Sequence, residues 1–88
     1  MEELNDMFKY YFEYKDRLGS LSVSLRVYYR GNNPWLTFDE DVNIPNILET
    51  IIGITFSEKI KKVEKRLIKK AKRYADKKML ILEELEKY

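Results

Sequence analysis

The sequence predicts an α+β fold, a three-stranded antiparallel meander followed by a short helix and a long basic amphipathic C-terminal helix. Three observations predict it. Leu21, Val23, Leu25, Val27 and Tyr29 alternate with Ser22, Ser24, Arg26, Tyr28 and Arg30, the period of a half-buried strand. Turn-forming residues divide the first half of the chain into three strand-like runs. Thr55-Phe56-Ser57-Glu58 then matches a capping box, with Thr55 as N-cap, and opens a run free of Gly and Pro to the last residue.

In chain order, residues 7–15 read either as a helix with Leu4, Phe8, Tyr11 and Phe12 inward or as a strand. Tyr and Phe favour the pleated surface, with Phe8, Tyr10, Phe12 and Tyr14 alternating against Lys9, Tyr11, Glu13 and Lys15. Asp16-Arg17-Leu18-Gly19-Ser20 supplies a turn of hairpin length, and Gly31-Asn32-Asn33-Pro34 a second one. Trp35 to Asp39 is a short third strand with Leu36 and Phe38 on one face and Trp35 as a lid on the core edge. The meander therefore covers about 7–39, in a single domain spanning 1–88. Asp39-Glu40-Asp41 reads as turn and helix N-terminal charge. Pro45 suits the first position of a helix over 45–52, and Gly53 its left-handed cap.

The long helix is predicted over 56–87, about 48 Å at 1.5 Å per residue. A compact chain of 88 residues has a diameter of only about 30 Å. Ile60, Val63, Leu67, Ala71, Tyr74, Ala75, Ile81, Leu82 and Leu85 form one apolar stripe, interrupted by Lys78. Met79-Leu80-Ile81-Leu82 is apolar on nearly every side, so burial against the sheet or a second subunit is expected. These observations imply a homodimer paired through the C-terminal helix, with Leu67, Ala71, Met79, Leu82 and Leu85 in the interface.

Charge is distributed unevenly. The chain is +2 overall, yet residues 59–78 hold eleven Lys and Arg against Glu64 and Asp76, a net of +9 that leaves −7 for the other 68 residues. A helix face stabilised for its own sake carries acids spaced four residues before its lysines, and here Glu58 with Lys62 is the one such pair. Uncompensated cations in a row repel one another, and nucleic-acid phosphate would relieve them. Lys61, Lys62, Lys65, Arg66, Lys69, Lys72 and Arg73 are the predicted phosphate contacts. On the predicted open face of the sheet, Arg26, Tyr28 and Arg30 beside Lys9 and Tyr11 combine cations with rings, as stacking on single-stranded bases requires. A simple cross-strand Tyr11–Tyr28 pair accounts for the same pattern.

The chain has no His, Cys or Gln. Thiol nucleophiles, histidine acid–base chemistry, disulfides and Cys/His zinc sites are thereby excluded. Glu13-Tyr14-Lys15 and Asp39-Glu40-Asp41 hold the carboxylates that metal-dependent catalysis uses, but so short a pattern recurs by chance in a chain with 36% charged residues. No cofactor, metal or enzymatic activity is expected. The acidic N-terminus and the lack of a long apolar run predict an intracellular, cytoplasmic protein without a membrane span. Abundant Lys and Glu without Cys or Gln fit a heat-adapted source, and an AT-rich genome gives the same composition. The sequence therefore predicts non-catalytic nucleic-acid binding. The alternative is a small interaction protein, such as a virus-encoded inhibitor, whose basic helix docks on an acidic protein surface.

Overall fold

Strand alternation sorts the first half of the chain into two faces, and one of them is covered by the long helix. The computed structural model describes residues 2–30 and 33–87, and the side chains of all of these but 33–35. The Gly31-Asn32 part of the expected turn and the lid role expected of Trp35 lie outside the described residues. The elements are β1 (Glu2–Glu3), β2 (Phe8–Arg17), β3 (Ser20–Tyr29), β4 (Asn33–Asn43), α1 (Ile47–Ile51) and α2 (Phe56–Glu86). The strands form one antiparallel sheet in the order β1-β2-β3-β4. The fold is thus α+β, with four strands rather than three.

The β2–β3 hairpin turns on two residues, Leu18 and Gly19, and Gly19 takes φ +78°, a conformation open to glycine without cost. Asp16, Arg17 and Ser20, expected in the turn, are paired strand residues. Strand β4 runs well beyond its expected end at Asp39. Its partner β3 offers a full ladder, and Ser24↔Asp39, Val23↔Glu40 and Ser22↔Asp41 pair in register. The acidic triplet is therefore strand, not turn. Backbone hydrogen bonding to a ready-made central strand outweighs the low strand preference of Asp and Glu, and charge on an edge strand opposes pairing with a foreign sheet.

The helices are set by local caps. Asn46 accepts a hydrogen bond from the Glu49 N–H at 2.8 Å while the Glu49 carboxylate accepts from the Asn46 N–H at 3.1 Å, completing a capping box. Pro45 consequently lies before the cap, not at the first helical position. Past α1, the Ile54 N–H bonds the Glu49 carbonyl and the Gly53 N–H bonds the Thr50 carbonyl, with Gly53 at φ +88°. That is the Schellman ending expected of Gly53. Thr55 caps α2 by accepting from the Glu58 N–H at 3.2 Å.

The core lies between α2 and the sheet. Val63, Leu67, Ala71 and Ala75, four residues apart, are buried against Phe8, Val23, Leu25, Val27 and Val42. Leu67 and Ala71 are 1% and 0% exposed within a single chain, so they are spent in the core and are not available as a dimer interface. The longer strands explain the difference, since ten residues span about 33 Å and cover the middle of the helix. The chain measures 58 × 21 × 15 Å, and its radius of gyration of 16.2 Å exceeds the roughly 12 Å of a compact chain this long. No helix among the described residues is long and apolar enough to cross a membrane.

Candidate functional site

At 100° per residue, Lys62, Lys65, Lys69 and Arg73 fall along the crest of α2 opposite its buried stripe, with Lys61, Lys70 and Lys77 on its flanks. All seven side chains are exposed. Among the described residues, none of the seven has a carboxylate oxygen within 4.0 Å. The series from Lys61 to Lys77 extends about 24 Å along the helix axis. Neighbours three and four apart stand about 5–6 Å from one another at Cβ, close enough to repel.

Two predicted phosphate contacts are engaged within the chain. Arg66 Nη2 lies 2.6 Å from Glu40 Oε1 on β4. Lys72 Nζ lies 3.0 Å from Asp76 Oδ1, which also accepts from Asn5 Nδ2 at 3.1 Å. These two donors, the Asn5 amide first, hold the Asp76 carboxyl below its ordinary range. Lys70 and Lys77 take the places that Arg66 and Lys72 vacate, and charge counting alone had not singled them out. Lys59 pairs with Glu49 at 3.1 Å, and the Lys78 ammonium sits 5.7 Å from the Tyr74 ring centroid.

The sheet half of the predicted site is assembled differently from the expectation. Tyr11 and Tyr28 do share the face turned away from α2, with ring centroids 5.4 Å apart and planes 20° from parallel. Their hydroxyls are linked at 3.0 Å, and Tyr11 Oη donates to Glu13 Oε1 at 2.7 Å. The Tyr28 and Glu13 contacts raise the Tyr11 pKa well above its ordinary value. Arg26 Nε is 3.0 Å from Glu13 Oε2. A cleft of about 370 Å³ beside them is lined by Glu13, Lys15, Arg17, Arg26, Asp39 and Asp41, a mixed-charge surface rather than a cationic one.

Arg30 does not join that face. It follows β3 at φ +36°, and its guanidinium crosses to α2, 3.1 Å from Glu86 and 5.4 Å from the Tyr29 ring centroid. The left-handed backbone breaks the strand alternation on which its placement rested. The partners that sequence reading missed are all acids: Glu13, Glu40, Asp76 and Glu86. Two signals could have found some of them. A two-residue hairpin sets Tyr11 opposite Arg26 and Glu13 diagonal to it, and Lys72 with Asp76 has helical i, i+4 spacing. Among the described residues, no three carboxylates gather closely enough to hold a metal ion.

No protein-family model, curated protein or solved structure matches the chain. Its residues take their roles here from geometry and charge alone.

Proposed function

We propose that the chain binds nucleic acid without catalysing a reaction, through phosphate contacts of the exposed crest of α2. The observation that carries this reading is the uncompensated series Lys61, Lys62, Lys65, Lys69, Lys70, Arg73 and Lys77 on one rigid helix whose other side is anchored in a core. Six of the seven cations are lysines, point charges without the planar fork that Arg73 alone of the series carries, and α2 has no Asn or Gln to read adenine. The interface is therefore suited to backbone contacts, indifferent to sequence.

A duplex fits this site better than a single strand. The cations of the α2 crest have no carboxylate within reach among the described residues, while Tyr11 and Tyr28 stack on each other and the cleft on that face mixes Glu13, Asp39 and Asp41 with Lys15, Arg17 and Arg26. If five crest and flank cations each neutralise a phosphate, log affinity for duplex falls with log salt at a slope of about −4.5. Between 50 and 200 mM salt that is a loss of about 500-fold.

The decisive experiment is a salt titration of binding to mixed-sequence duplex, measured by fluorescence anisotropy for the wild type and for Lys65→Ala/Lys69→Ala. Both lysines are exposed, so the variant keeps the wild-type melting temperature. Its slope should become shallower by about 1.8, one phosphate for each residue removed. A wild-type slope near zero, or an unchanged slope in the variant, refutes the reading.

A further inference from the structure

The two sides of α2, between its crest and its buried stripe, differ in charge. Ile60, Glu64, Ile68, Lys72, Asp76 and Leu80, four apart, form the side toward β2, where Tyr14 donates a hydrogen bond to Glu64 and Asn5 donates one to Asp76. Lys62, Arg66, Lys70, Tyr74 and Lys78 form the side toward β4, where Arg66 meets Glu40 and the Tyr74 ring stands edge-on to Phe38. The first row holds both acids of residues 59–78, and its one lysine is paired with Asp76. The second row holds four cations and no acid.

The sheet extends this difference. Strands β3 and β4 lie beneath α2, so its β4 side overlooks the edge of the sheet, while β2 and β1 project past its other side. Glu2 pairs opposite Tyr10 on the face that carries α2, and burial, followed by the charges of Glu2 and Glu64, raises the Tyr10 pKa. With Asp76 bonded to Asn5 between β1 and β2, these carboxylates line that side with negative charge. On the β4 side, Glu40 is neutralised by Arg66 at 2.6 Å, and Asp39 and Asp41 alternate to the opposite face of the sheet.

We propose that a nucleic-acid duplex meets α2 along its crest and its β4 side only, lying against the phosphate backbone and outside the major groove. This rests on the nucleic-acid reading above and adds to it the side of approach. A helix inserted into the major groove, about 12 Å wide, has a row of phosphates along each of its flanks. Insertion of α2 would set one of those rows against Glu64 and Asp76. Approach from the β4 side instead brings Lys62 and Lys70, which have no carboxylate within 4.0 Å among the described residues, into line with the crest cations and leaves the acidic side in solvent. Arg66 lies between those two lysines and is held by Glu40, which therefore competes with phosphate for it.

Matched substitutions on the two sides test this in salt titrations with mixed-sequence duplex. Lys70→Ala and Lys72→Ala remove the same charge two residues apart, and both side chains are exposed. Lys70→Ala should make the slope shallower by about 0.9, one phosphate, while Lys72→Ala leaves it unchanged. In the opposite direction, Glu40→Gln frees Arg66 and should steepen the slope by about 0.9, a gain that loss of structure does not mimic. Asp76→Asn frees Lys72 on the other side and should leave the slope unchanged. Dimethyl sulfate should methylate guanine N7, in the major groove, as fast in the complex as in free duplex. Equal effects within either pair, or protection of guanine N7, overturn the proposal while the nucleic-acid reading stands, and a wild-type slope near zero removes both.

Discussion

Leu67→Ala tests the central assignment of the structure, that the middle of α2 is core and not an intersubunit seam. Leu67 is 1% exposed, and Val23, Leu25 and Val27 on the sheet around it are 0% exposed. Strand β3 is paired along both edges and cannot collapse into the space the side chain leaves. The loss is therefore about 3 kcal/mol, within the range for buried leucines. A domain of 88 residues holds a total of about 4–13 kcal/mol. Its unfolding entropy, about 2.1 cal/mol/K per residue, converts the loss into a fall in Tm of about 16 °C. Circular dichroism melts over a hundredfold range of protein concentration, with light scattering at each, measure it. The control is Leu85→Ala, at 63% exposure, which should change Tm by less than about 3 °C. The expected result is the same fall at every concentration with no change in mass. A fall of only a few degrees, or one that deepens on dilution as the mass drops, would place Leu67 in an interface and refute the packing argument.

Three further outcomes follow from local chemistry. Burial, together with the hydrogen bond donated to Glu64, raises the Tyr14 pKa to about 12. A raised folded pKa stabilises the fold fully below pH 10 and loses that stabilisation as pH climbs toward 12, so alkaline melting should begin later in Tyr14→Phe, and a tyrosinate absorbance titration should lose one late-titrating group while that of Tyr11 remains. Asp76, lowered by Asn5 and then Lys72, and Glu49, lowered by the Asn46 N–H and then Lys59, act in the opposite sense. Their stabilisation is complete above their ordinary values of 3.8 and 4.5 and is lost as pH falls through the lower folded values, so acid unfolding of Asn5→Ala should show a weaker pH dependence there. Gly53→Ala meets open space around the new Cβ, so its cost is backbone strain alone at φ +88°, about 1–2 kcal/mol by chemical denaturation.

Most of the secondary structure was legible because its causes are local. The alternation of Leu21 to Val27, the Thr55 cap and the Gly53 ending each rest on residues within one turn or one strand of each other. What escaped was the extent of β4 and the presence of β1. Both depend on a partner strand distant in sequence, and Asp39-Glu40-Asp41 carries no strand signal until β3 lies beside it. For the candidate site, the helical crest was readable from charge density. Its membership was not, because Arg66 and Arg30 are removed by Glu40 and Glu86, acids 26 and 56 residues away.

The sequence by itself determined which chemistry the chain lacks, the period of its strands and long helix, and the +9 concentrated on residues 59–78. These are properties of composition and of neighbours three or four residues apart. Only the tertiary structure decided that Leu67 and Ala71 face the chain's own sheet, that the two tyrosines stack on each other, and which cations remain without a carboxylate. Those outcomes rest on register and crossing geometry. A one-residue change in hairpin length moves every side chain to the opposite face, and no local pattern records where the helix will lie across the sheet.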